Sequence, residues 1–298
     1  MTASIDLAEA LRGGVGASVS RSRRWRSSVA TLLITISVAL ALVPLVFILA
    51  YVAQKGIGVV NLAFLTEDIP ISSRRPGPGM GAAIVGTLVI TGGATAMAVP
   101  LGVMAAIYLN EYNRNGLLGQ VIRTMADVMT GVPSIVMGLF IYSVWVLRFG
   151  LSGFAGALAL GALMLPIVIR STEEILRLVP QQLREASLAL GAQRATTIVR
   201  VVLPAALPGI TSGVLLAVAR AAGETAPLLF TIGAARRANV DLFAGANTAL
   251  AAQIFRNAQL PFEAAQDRAW GAAFTLIALV LILTVVARLV SRRFATKT

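Results

Sequence analysis

Residues 27–54 read SSVATLLITISVALALVPLVFILAYVAQ, 28 positions without one charged side chain. A helix needs about 20 mostly apolar residues to cross the hydrocarbon of a bilayer. The run is also longer than the roughly 7–15-residue apolar region of a cleaved secretory signal, so it reads as a retained anchor. Outward from it the pattern repeats. Charge-free windows recur at Pro76–Asn110, Val128–Leu147, Phe149–Ile169, Val201–Ala219 and Ala269–Ala287. The fifth window continues past Arg220 and Glu224 to about Ile232. The expectation is an all-α membrane protein with six transmembrane helices, the first at 29–53 behind a tail at 1–28.

Composition agrees. Of 298 residues, 57% are hydrophobic and 13% charged, and the mean hydropathy is +0.83. Soluble proteins carry about 25% charged residues, and a soluble chain of this length cannot bury so much apolar surface. Disorder is excluded because the chain is apolar rather than polar and charge-rich. There is no cysteine and no histidine. Disulfides and thiolate chemistry are therefore out, a zinc site would have carboxylates alone for ligands, and no metal, cofactor or catalytic residue is expected. The net charge of +12 would point to nucleic acid in a soluble chain. Here the basic residues flank the apolar windows, so lipid, not nucleic acid, is the expected surrounding.

Basic residues favour the cytoplasmic side of membrane spans. With the amino terminus inside, segments 1–28, 110–124, 170–207 and 288–298 hold sixteen Lys and Arg, against eight in segments 54–80, 148–150 and 235–268. Arg21, Arg23, Arg24 and Arg26 precede the first window, and Arg288, Arg292 and Arg293 follow the last. The expectation is a multi-pass protein of the cytoplasmic membrane with both termini cytoplasmic.

The segment 170–207 is too helix-prone for a floppy linker. Ser171-Thr172-Glu173-Glu174 fits a capping box that would start a helix. Pro180 punctuates, Gln181–Leu190 reads as a helix with Leu183, Ala186, Ser187 and Leu190 on one face, and Gly191 suits its end. Leu203-Pro204 and Pro208 read as a turn into the fifth span. Periodicity alone leaves open whether the apolar stripe packs back on the bundle or docks into a partner.

The run Glu185-Ala186-Ser187-Leu188-Ala189-Leu190-Gly191, followed after nine residues by Val201-Val202-Leu203-Pro204, resembles the EAA loop of bacterial ABC importer permeases. Ser187 stands for the usual Ala and Val201 for the usual Ile, both near-isosteric. Gly131–Gly138 (GVPSIVMG), Ala219–Leu228 (ARAAGETAPL) and Ile169–Glu174 (IRSTEE) are similar to phosphate-specific permeases, and to the PstA-type subunit more than its PstC-type partner. The likeness covers about residues 80–290. It implies a type I, MetI-like permease fold with a core at 81–290 and its EAA loop at 170–207. It also implies import of inorganic phosphate by alternating access, with a PstC-type second permease, two copies of a PstB-type ATP-binding subunit and an extracytoplasmic PstS-type binding protein. Coupling to the ATPase is then carried by Glu185, Ala186, Gly191, Arg194, Leu203 and Pro204.

The residues supply part of what such a machine demands. A P-loop needs Lys after a Gly-rich turn, and the only lysines, Lys55 and Lys297, follow Gln54 and Thr296. ATP hydrolysis is therefore expected in a separate subunit, and the chain is not read as an enzyme. A phosphate ion cannot cross hydrocarbon bare, and charged groups in spans mark interior pathways. Asp127, Arg220 and Glu224 lie in or near spans. Arg220 offers forked donors matched to phosphate oxygens, and Glu224, four residues on, reads as sharing its helix face. A purely structural ion bridge is the alternative for that pair. Arg170 reads as an anchor at the inner end of the fourth span, and the resemblance implies a place on the exit route. Asp127 reads as a helix-start charge. An importer of another oxyanion, such as sulfate or molybdate, stays open, as does a non-transporting membrane scaffold or sensor.

Overall fold

The computed structural model describes residues 21–77 and 79–295, so most of the expected tail at 1–28 lies outside the described residues. Residue contacts divide the chain into two units, 1–52 and 53–298. The described part of the first is one helix, α1 (Arg21–Gly56), whose carboxyl end runs on past the boundary. Three of its hydroxyls are satisfied on the helix itself: Thr31, Thr35 and Ser37 each donate to the carbonyl four residues back. Such back-bonding hides polar groups where no water is available.

The second unit is a helical bundle. A short α2 (Leu62–Thr66) is capped by the Asn61 side chain and precedes α3 (Gly81–Ile107), which ends in a π-turn at Tyr108–Tyr112. Then come α4 (Leu117–Gly131), α5 (Ser134–Ile141) and, past a π-turn at Tyr142–Val146, α6 (Leu147–Phe149). The long α7 (Gly153–Leu178) is followed by α8 (Gln181–Ala189) and α9 (Arg194–Thr197). A π-turn at Ile198–Val202 joins α9 to α10 (Leu203–Gly223). Finally come α11 (Ala226–Thr231), α12 (Leu250–Ala258) and α13 (Glu263–Ala295).

Among the described residues, five helices are long and apolar enough to cross a membrane: Trp25–Gly56, Gly81–Tyr112, Gly153–Leu178, Arg194–Gly223 and Glu263–Leu289. The expected third span, Val128–Leu147, is not a single helix. Leu117–Gly131 and Ser134–Phe149 meet at a bend of 103°, and they make a sixth span only if counted as one broken crossing. Pro133 is the cause: its ring pushes the preceding residue out of the helical region, and Val132 is extended at φ −70, ψ 126.

Two further expectations are corrected. Ser171-Thr172-Glu173-Glu174 starts no helix, because α7 runs through it, with Thr172 and Glu173 buried. The preceding apolar periodicity carries straight on, with Val168, Ile169, Thr172, Glu173 and Leu176 buried along α7, and that packing outweighs a local cap. Nor is Leu203-Pro204 a turn. Residues 194–223 form one continuous apolar helix, and the π-turn immediately before Pro204 widens the backbone where proline has no N–H to donate.

At the centre α3 and α7 pack closely through small residues. A Cβ added at Gly102 would lie 2.7 Å from Val168 Cγ1, and one at Gly93 would lie 3.3 Å from Ala157 Cβ. Lipid tails are as apolar as leucine, so intimate backbone approach holds such helices together. Ile90, Leu160, Met164, Leu228 and Ile232 fill the core around this pair. A second cluster, including Leu176, Val202 and Ile210, closes the end that carries α8. A third, with Phe64, Met80 and Leu250, closes the opposite end.

Candidate substrate cavity and coupling surface

The break between α4 and α5 opens onto a cavity of about 220 Å³. Thr130, Pro133 and Ser134 line it from the break, Leu163 and Ile167 from α7, and Arg220 and Glu224 from the end of α10. Two of the motif stretches, the Val-Pro-Ser and the Arg-Ala-Ala-Gly-Glu, therefore meet at one place although 86 residues separate Ser134 from Arg220. Pro133 is the N-cap of α5 and offers no side-chain cap. The amino end of a helix carries unpaired N–H groups and a partial positive charge, so the cavity is bordered by a dipole end and a guanidinium.

Arg220 and Glu224 are loosely paired, Nε to Oε1 at 3.8 Å, and the Arg220 side chain is 67% exposed. They do not share a helix face as expected: α10 ends at Gly223 and Glu224 is extended at φ −69, ψ 129. The carboxylate folds back toward the arginine without engaging its fork.

Arg170 is not brought to the cavity. It pairs through Nε and Nη2 with the Asp127 carboxylate, and its Nη2 also donates to the Arg123 carbonyl. Ile167 of the cavity wall and Arg170 are one turn apart on α7, so this ion pair lies one turn away toward α8. Asp127 is not at a helix start; it lies in the carboxyl-terminal half of α4.

Beyond Arg170 is a site that sequence reading missed. Glu173, 1% exposed, accepts from Arg123 Nε at 2.7 Å and Arg177 Nη2 at 2.6 Å. Arg123 also donates to the Leu109 and Arg114 carbonyls, each at 3.0 Å. Glu111, buried in the π-turn that ends α3, receives Arg184 Nη2 at 2.8 Å. The available signal for Glu173 was its place in the buried period of α7, which the apparent capping box masked.

The candidate coupling residues lie on or just after α8 and at the start of α10. None of the residues of α8 is buried, and Leu183, Leu188 and Leu190 are exposed large apolar side chains. Glu185 and Ala186 are exposed beside them. Gly191 has φ +83, the left-handed conformation a Cβ disfavours. Ser187 turns the other way, 2.9 Å from Thr197 Oγ1. The Arg194 guanidinium lies 4.9 Å from the Tyr112 ring centroid. Leu203 and Pro204 are half-buried and begin α10, so they belong to the bundle.

The chain has relatives among known transport proteins. It is 44% identical over 272 residues to the phosphate transport system permease protein PstA 1 of Mycobacterium tuberculosis (strain ATCC 25618 / H37Rv), covering 90% of this chain and 88% of that protein. It is 47% identical over 266 residues to PstA of Mycobacterium leprae (strain TN), at 88% and 87% coverage. Against PstA of Yersinia pestis the identity is 40% over 269 residues, covering 90% of each. Among solved structures, a chain of the MetNI methionine ABC transporter in an inward-facing conformation superposes with a TM-score of 0.53 at 19% identity. That match spans 73% of this chain and 93% of the other, and it shows a shared permease fold. Residues 98–297 match the model for binding-protein-dependent transport system inner membrane components, and the chain belongs to that family.

Proposed function

We propose that the chain is the transmembrane permease subunit of an ATP-driven importer that moves inorganic phosphate across the cytoplasmic membrane by alternating access. It is a multi-pass transport component and not an enzyme; ATP hydrolysis resides in a separate subunit. The sequence resemblance supports a finer assembly with a PstC-type second permease, two PstB-type ATPase subunits and a PstS-type binding protein, and the distribution of Lys and Arg supports cytoplasmic termini.

The observation that carries the oxyanion pathway is Arg220, and the relatives' name supports phosphate as the anion. Arg220 lies within the apolar span 194–223, borders the cavity, and has most of its side chain on the surface of the chain. A guanidinium left against hydrocarbon is costly, so a second polypeptide or a water-filled path must cover this face. Beside it stands the amino end of α5, and broken membrane helices direct such ends at anionic cargo. Arg220 then donates to phosphate oxygens, and the nearby Glu224 carboxylate balances its charge when the site is empty. Arg170, bound to Asp127 one turn on, takes the exit-side position. Glu185, Ala186, Gly191 and Arg194 of the α8 surface dock on the ATPase, with Leu203 and Pro204 carrying the motion into α10.

Radiolabelled phosphate uptake by cells that depend on this importer tests the reading. Arg220→Gln is expected to lower uptake at least about tenfold with unchanged membrane abundance, and Arg220→Lys to restore only part, because ammonium lacks the planar fork. Excess sulfate or molybdate is expected to leave uptake unaffected. Wild-type rates in both variants would remove Arg220 from the pathway, and full competition by sulfate or molybdate would reassign the cargo.

A further inference from the structure

We infer that Arg184 is the positioning residue through which movement of α8 reaches the substrate cavity. The inference rests on the reading of α8 as the ATPase-docking helix. No residue of α8 is buried, so polar contacts carry much of its attachment to the bundle. Arg184 makes most of them. Its Nε and Nη2 both donate to the Glu111 carboxylate, with Nη2 to Oε1 at 2.8 Å. The same Nη2 reaches the Leu176 carbonyl at 2.9 Å, and Nη1 reaches the Val179 carbonyl at 2.7 Å. One guanidinium thus binds the π-turn ending α3 and the last carbonyls of α7 together.

The pair is shielded, with side-chain exposures of 12% for Arg184 and 7% for Glu111. Water therefore competes weakly for it, and a shielded bidentate contact is stiffer than a surface ion pair. The Asn110 side chain also donates to Glu111 at 2.7 Å, which fixes the carboxylate. The two elements that Arg184 joins are the closely packed central pair of the bundle, and α7 supplies Leu163 and Ile167 to the cavity wall. A push on α8 accordingly moves α3 and α7 as one body. Ser187, through Thr197, is tied to the other branch, toward α10. Lysine at 184 keeps the charge but cannot satisfy a carboxylate and two carbonyls in fixed directions.

The test uses the assembled complex in proteoliposomes, with phosphate import and ATP hydrolysis measured together. Arg184→Lys and Glu111→Gln are each expected to assemble and hydrolyse ATP, with phosphate imported per ATP falling at least about fivefold. The double variant is expected to be no worse than either single one, because both remove the same link. Wild-type ratios in the single variants, or losses that multiply in the double one, would overturn the inference. A second readout is independent of cargo. Because the chain has no cysteine, spin labels placed at Gln182→Cys on α8 and Met104→Cys on α3 report one distance. With Arg184 present it is expected to stay narrow when ATP binds, and with Arg184→Lys to broaden. Identical distributions would overturn the link. Wild-type complex that hydrolyses ATP, keeps a narrow distance and imports no phosphate would remove the cargo assignment alone.

Discussion

Glu173 shows how much one buried carboxylate organises. It holds Arg123 of α4 and Arg177 of its own helix, with Arg170 Nη1 at 3.5 Å. Removing one partner of a buried ion pair leaves uncompensated charge and costs about 3–5 kcal/mol. Glu173→Ala is therefore expected to lose stability of that order, read as a lower thermal unfolding midpoint in detergent; an unchanged midpoint would show the network to be dispensable. Gly138 makes a similar point without charge. A Cβ there would lie 2.6 Å from Pro227 Cα, where backbone cannot yield cheaply. Gly138→Ala is expected to cost about 1–3 kcal/mol by overpacking, measurable by the same melt. Arg220 was legible from sequence because a lone arginine stands out in an apolar run. Glu173 and Glu111 were not, because one sat inside a helix-start motif and the other at the edge of a charge-free window, and burial is set by partners distant in sequence.

Among the elements, prolines divided what could be read from what could not. Val132-Pro133 and Leu203-Pro204 look alike in sequence, yet the first breaks a span by 103° and the second is absorbed in a continuous helix. The difference lies in the turn before each: Val132 is extended, whereas Ile198–Val202 widens into a π-turn. No local signal announces a π-turn. The helix at 181–189 and its glycine end were legible, because periodicity and a left-handed position are both local properties. At Gly191 nothing lies within 4 Å of an added Cβ, so the penalty for substitution there is conformational rather than steric. Gly191→Glu is expected to keep membrane abundance while phosphate uptake falls to background. Gly191→Asn, which tolerates the left-handed region better, is expected to retain most uptake. Normal uptake by the glutamate variant would separate this turn from coupling.

For the whole molecule, composition decided the membrane class and the motifs decided the family, while the cavity needed the fold to bring residues 133 and 220 together. The two ends of the bundle differ in kind. One carries α8 and its exposed leucines, and the other carries the segment 235–248, with Val240 and Phe243 exposed. Cysteines introduced at Gln182 and Ala238 are expected to react with impermeant maleimide from opposite sides of sealed vesicles. Labelling from the same side would contradict the proposed topology.

The coupling claim is tested most directly by placing a photo-reactive side chain at Leu190, which is 89% exposed, and irradiating native membranes. An adduct with the nucleotide-hydrolysing subunit, shifted in yield by ATP, is the predicted result. Irradiation that yields no such adduct from a chain still supporting phosphate uptake would contradict it.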